Sequence, residues 1–216
     1  MRGSVARKKW FQAYFETAQR HLAYNLALKL ADLSEEARVL LRRQGWDPFL
    51  ASNGRKNEEL VRIFYATLVV VKGEWPTIYE AMVRGVRVPF RRSDLAVFMN
   101  VSNPEESISF TDGDVFELRT LIETLAPGEE WKKMAFRSDA MEDLPRLIHY
   151  INVHSFMVTS NRSEVRHKHV TFIYALINNL GDISLPNIFL DIMCATAKER
   201  ARAFSLPFPV LITRIC

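Results

Sequence analysis

Residues 57–90 read NEELVRIFYATLVVVKGEWPTIYEAMVRGVRVPF, and the spacing of their apolar positions changes once along the way. Asn57 followed by Glu58 and Glu59 starts a helix, because acidic groups suit the positive end of the helix dipole. Leu60, Val61, Phe64, Tyr65 and Leu68 then fall three or four apart, on one buried side. From Leu68 to Val71 the chain is β-branched, and between Thr77 and Phe90 two extended segments flank Arg84-Gly85, with Val86 and Val88 alternating with Arg87. The stretch predicts a helix followed by a small β-hairpin.

Working outward, most of the remaining chain carries the helical period. Phe11, Phe15, Ala18, Leu22 and Leu26 share one side of a long amphipathic helix over 6–30. Asp32 with Glu35 caps a second helix through Leu40 and Leu41, which stops at Gly45 behind Arg42 and Arg43. Asn53-Gly54 marks a turn. Beyond the hairpin, Ser93 and Asp94 open a short helix through Met99, and Asn103-Pro104 breaks the chain, so a seam is expected near 100–104. Val115, Leu118, Leu121, Ile122 and Leu125 predict one helix inside an acidic region, ended by Pro127-Gly128. Leu144, Leu147, Ile148 and Ile151 predict another. Val165, Phe172, Ile173, Leu176, Ile177 and Leu180 predict the next, closed by Gly181, and Pro186 opens a further one. Pro207 and Pro209 punctuate the last segment, Val210-Leu211-Ile212. The expected fold is mainly α: one compact multi-helix domain over 1–216 with a small inserted β-hairpin between the third and fourth helices and the acidic region at an exposed edge. The apolar last residues, where a chain end is usually polar, point to a fragment of a longer protein.

Composition narrows the classes. With 216 residues, 48% hydrophobic, 25% charged and 11% aromatic, the chain is long enough for a core and is neither disordered nor fibrous in character. Two cysteines, Cys194 and Cys216, make no disulfide framework and no Cys-x-x-Cys motif, which fits a reducing, intracellular setting, nucleus and cytoplasm being equally open. The apolar run after Arg7, Lys8 and Lys9 is broken by Glu16, too early for a secretory signal, and no run of 18 apolar residues supports a membrane span. The net charge of +4 is uneven. Residues 1–62 hold 12 basic and 7 acidic groups, 101–143 hold 4 and 11, and 144–216 hold 8 and 4. Such blocks either pair internally or face solvent separately.

Few residues invite chemistry. His167 and His169 stand two apart, about 200° around a helix, and cannot share one ion there; His169 falls on the apolar side, as a neutral core histidine would. His149 and His154, five apart, make no better ligand pair. The carboxylates between Asp112 and Asp143 lack the succession of strands on which a two-metal transposase or nuclease site is built, so an acidic solvated surface is expected. Serine nucleophile elbows, phosphate-binding loops and dinucleotide glycine motifs are absent, and no cofactor is expected.

The basic groups are the remaining candidates for contacts to phosphate: Arg7, Lys8 and Lys9 beside Trp10 and Phe11, then Arg91 and Arg92, then Arg162, Arg166 and Lys168 around the start of the most regular helix. Core packing of the aromatics is the competing reading. Asn161 and Glu164 are expected to cap that helix and so give the two arginines a structural setting as well.

The order of landmarks then carries a resemblance. Gly45-Trp46, the run Leu60 to Leu68, Val83-Arg84-Gly85-Val86-Arg87-Val88-Pro89-Phe90, Asn161 to Arg166 leading into Ile173-Tyr174-Ala175-Leu176, and Leu206-Pro207-Phe208-Pro209-Val210-Leu211-Ile212-Thr213 follow one another over roughly residues 40–216. In this order and spacing the chain resembles the plant transposon protein domain of retroelement-derived plant sequences. The resemblance implies origin more than mechanism, and it brings no catalytic residue to transfer. The family's pattern also continues past Leu-Ile-Thr, in keeping with a fragment. Three functions are weighed on these grounds: a nucleic-acid-binding module of a mobile-element protein, contacting DNA or RNA through its basic groups; a protein-assembly or self-association domain using the aromatic first helix or the apolar C-terminal segment; and, last, a metal-dependent transposase or nuclease.

Overall fold

The computed structural model describes residues 31, 33–51, 54–71, 77–105, 107–108, 118–128, 135–159, 161–198 and 206–216. The helix expected over 6–30, with Arg7, Lys8, Lys9, Trp10 and Phe11, lies outside them. The first described helix, α1 (Glu35–Arg43), is capped by Ser34, whose hydroxyl accepts from the Ala37 N–H at 3.3 Å, so the cap sits two residues later than the expected Asp32. A short turn, α2 (Asp47–Leu50), leads to α3 (Glu58–Thr67), whose cap is Asn57 as expected: its side chain accepts from the Leu60 N–H at 3.1 Å.

The inserted hairpin is joined by the β-branched segment that precedes it, as a third strand. β1 (Val69–Val71), β2 (Ile78–Val83) and β3 (Val86–Phe90) form an antiparallel sheet in the order β1-β2-β3. Val83 pairs with Val86 across a tight turn in which Arg84 and Gly85 take φ of 50° and 84°, the left-handed pair a two-residue hairpin requires. Thr67 splices the end of α3 onto β2, its hydroxyl donating to the Met82 carbonyl at 3.1 Å or accepting from the Met82 N–H at 3.0 Å.

From there the described residues are mostly helical, with one two-stranded ribbon among them. α4 (Arg92–Met99) and α5 (Leu118–Leu125) precede β4 (Ala135–Arg137). α6 (Asp143–Ile151) runs on into a π turn over Asn152–Phe156, then β5 (Glu164–Arg166) pairs antiparallel with β4. α7 (His167–Asn178), α8 (Leu185–Lys198) and α9 (Pro209–Ile215) complete the fold. The mainly α class with a few strands is as expected, but Val165 and the Asn161–Glu164 pair do not open α7. Residues 164–166 are extended, and the helix begins at His167.

The core runs through every layer. Trp46 packs edge-on to Phe156 at 4.9 Å and stacks with Phe172 at 5.8 Å, while Phe49 meets Phe189 at 5.2 Å and Phe189 stacks on Phe208 at 3.8 Å. The apolar C-terminal segment belongs to this interior. Leu211, Ile212 and Ile215 are buried, the Tyr65 hydroxyl donates to the Pro207 carbonyl at 3.0 Å, and the Asn57 N–H donates to Thr213 Oγ1 at 2.9 Å. The segment is therefore covered by α3 and α4 of its own domain, which corrects the expectation that it is an unfilled interface. No helix among the described residues is long and apolar enough to cross a membrane.

Candidate functional site

At two places a strand feeds directly into a helix through an arginine. β3 passes through Arg91 into α4, where the Arg91 N–H donates to Asp94 Oδ2 at 2.7 Å. β5 ends on Arg166, whose N–H donates to His169 Nδ1 at 3.4 Å as α7 begins. In both, the side chain three residues into the helix reaches back to satisfy the donor before it, half of a reciprocal capping box. The chemistry of the two corners differs. Asp94 places an anion at the start of α4, whereas the first turn of α7 holds no acidic residue and carries His167, Lys168 and His169.

Beneath the second corner lies a buried polar cluster. His149 on α6 and His169 on α7 are each 1% exposed, with ring centroids 5.4 Å apart. His149 Nε2 lies 3.1 Å from the Arg162 carbonyl. A carbonyl only accepts, so this nitrogen carries the His149 proton and Nδ1 is a lone pair. His169 Nδ1 accepts from Arg166, so its proton is on Nε2. Among the described residues these two inner nitrogens, His149 Nδ1 and His169 Nε2, have no hydrogen-bond partner, and neither do the side chains of the buried Asn152 and Ser155 in the π turn. The facing rings thus offer each other one acceptor and one donor. π turns interrupt helices where local packing is unusual, and here one carries Asn152, His154 and Ser155 into the interior.

Electrostatics keep the cluster neutral. Burial, then His149, then Lys168 and Arg166 hold His169 far below the ordinary imidazole range, at about 3. Burial lowers His149 against the opposing pull of the Arg162 carbonyl, and burial, then Arg162 and His149, lower His154, whose ring also packs on Tyr150 at 4.3 Å. The same cations would oppose a divalent ion at these nitrogens, and among the described residues no group of three or more His, Cys, Asp or Glu could hold a metal. Nor is there an activated nucleophile here: the buried Ser155 hydroxyl bonds no histidine, and burial raises the Cys194 thiol, so it is mostly protonated at neutral pH.

The basic candidates are distributed accordingly. Arg162 and Arg166 are exposed and Lys168 is half-buried, all three close enough to the histidine cluster to act on it. Arg166 is paired with Glu164 at 2.8 Å, and Glu164 also accepts from the Asn161 amide. Arg91 is exposed and Arg92 half-buried at the other corner. The histidine pair itself is only half legible in sequence. The central place of His169 on an apolar face marks it as core, but the contact of His149 with the Arg162 carbonyl joins α6 to a segment outside it, which no periodicity announces.

Comparison with known proteins bears on origin. A family model, the plant retrotransposon-related domain, matches residues 42–216. The chain belongs to this family. The match to a plant retrotransposon-related domain takes in both strand-to-helix corners, the histidine cluster and the C-terminal helix, and it agrees with the resemblance carried by the sequence landmarks. No curated protein matches the chain, and no solved structure does.

Proposed function

We propose that this plant retrotransposon-related domain is a non-catalytic nucleic-acid-binding module of a mobile-element protein, with the β5–α7 corner as its contact surface. The observation that supports this reading is the composition of that corner. Arg162, Arg166 and Lys168 gather where a twelve-residue helix presents its N-terminal N–H groups, and no carboxylate occupies the first turn. Helix N-termini favour anions, and basic side chains beside one add point charges that a phosphate backbone can use. The α4 corner, with Arg91 and Arg92, is the weaker of the two because Asp94 already fills the N-terminal turn.

Contacts of this kind are indifferent to sequence and release counterions. Three phosphate contacts give a slope of log affinity against log salt near about −2.7 on duplex DNA, a roughly 40-fold loss over a fourfold rise in salt. Fluorescence anisotropy with labelled DNA and RNA at 50 and 200 mM salt measures it. The double variant Arg162→Glu with Lys168→Glu is expected to weaken binding and flatten the slope by about 2. Affinity independent of salt, or unchanged in that variant, would refute the assignment of this corner.

A further inference from the structure

We propose that His149 and His169 form a proton-operated latch, which fastens segment 161–166 to α6 and α7 while both rings are neutral and frees it when either ring gains a proton. The fastening consists of two bonds. His149 Nε2 donates to the Arg162 carbonyl at 3.1 Å from α6, and His169 Nδ1 accepts from the Arg166 N–H at 3.4 Å from α7. Between them the Ser138 N–H donates to the Ser163 carbonyl at 2.9 Å, and β5 pairs with β4.

A proton has no harmless place to go. On His169 Nδ1 it removes the acceptor that Arg166 uses. On His149 Nδ1 it sets an N–H against the His169 Nε2–H across rings 5.4 Å apart, buried, with no partner for either. Of the surroundings only two backbone carbonyls favour charged rings, that of Arg162 at His149 and that of Glu164 at His169, and burial with the neighbouring charges outweighs them. Arg162, Arg166 and Lys168 bear on the cluster, His154 stands on the π turn, and the nearby carboxylates are engaged elsewhere, Glu164 with Arg166 and Asp139 of the following turn with Arg137. α1, packed on α6, faces inward with Ala37, Leu40 and Leu41. The charge is relieved by opening, when the rings reach water and titrate near about 6.5. Opening carries Arg162 and Arg166 with it, so acidification rearranges the corner whatever the domain binds.

Amide hydrogen exchange on the 216-residue chain, expressed as protection factors between pH 7.5 and pH 5, tests this. Protection over 161–167 is expected to fall by at least about 30-fold, the factor that one ring neutral when closed and titrating near 6.5 when open contributes at pH 5. The β2–β3 hairpin, which packs on α3, is expected to stay better protected than 161–167 at both pH values, because it opens only with the whole domain. In the double variant His149→Gln with His169→Asn, which retains a donor for Arg162 and an acceptor for Arg166 but cannot titrate, the pH dependence over 161–167 should vanish. Protection over 161–167 equal to that of the hairpin, meaning that the segment opens only in global unfolding, overturns the latch, as does a flat wild-type profile. If the variant does not fold, the Cε1 proton signals of the wild-type histidines decide. Midpoints for His149 and His169 near 6.5 with the segment still protected overturn it, and midpoints that coincide with loss of protection support it.

Discussion

Gly54 meets the C-terminal helix at a point where no side chain fits: a Cβ there would stand 2.5 Å from Val210 Cγ1. Valine is stiff at χ1 and cannot swing clear, so Gly54→Ala should destabilise the domain by about 1–3 kcal/mol in urea denaturation. Adding Val210→Ala should recover most of that loss, and a double-mutant cycle with no coupling would refute the close approach. Single residues of this kind were unequally legible in the sequence. Asn53-Gly54 reads as a turn, with Asn53 outside the described residues, but nothing in the spacing says that Gly54 is pressed against a helix more than 150 residues later. His169 reads as a core residue because its own helix supplies the pattern, while the burial of His149 depends on a loop whose path is set by tertiary contacts.

Elements were read well where one chain segment carries its own signal. α3 is the clearest case, with an asparagine cap, acidic first turn and an apolar side containing Val61, Phe64 and Tyr65. Its cap is also a test. Asn57→Ala removes the acceptor for the Leu60 N–H and should cost about 1 kcal/mol, read as a lower urea midpoint at unchanged slope. The starts of α4 and α7 were misplaced for one shared reason. Each follows a strand without a loop, so the usual Ser, Thr, Asp or Asn cap is replaced by an arginine, and the signal for an N-terminus moves to Asp94 or His169 inside the helix. β1 falls on Leu68 to Val71, a β-branched run that suits a strand by itself, whereas its pairing with Ile78–Glu80 depends on contacts outside the run.

For the whole molecule, the buried histidines predict an acid-sensitive fold. His169 titrates at about 3 when folded and near about 6.5 when unfolded, so below pH 6.5 the unfolded chain binds more protons. Its contribution is complete above that range and is lost progressively as pH falls toward 3. This group alone should lower unfolding free energy by about 2 kcal/mol between pH 7.5 and pH 5, measurable by chemical denaturation at each pH. Asp191, raised by burial, acts in the opposite sense as pH rises through the carboxylate range. A stability that stays level over the interval, or a His169→Asn variant as acid-sensitive as the parent, would contradict this account. Overall class and family are legible because period and landmark order survive without knowledge of contacts, and Arg162, Arg166 and Lys168 are legible as neighbours of a helix start; the histidine pair beneath them is not, because it joins α6 to α7. The seating of the last helix has a further consequence for biosynthesis. Phe208, at φ 52° between two prolines, stacks on Phe189, and Pro207 and Thr213 complete the hydrogen bonds of Tyr65 and Asn57. α3 thus lacks its cover until residues 206–215 have left the ribosome, so nascent chains stalled before that point should remain sensitive to protease and dependent on chaperones.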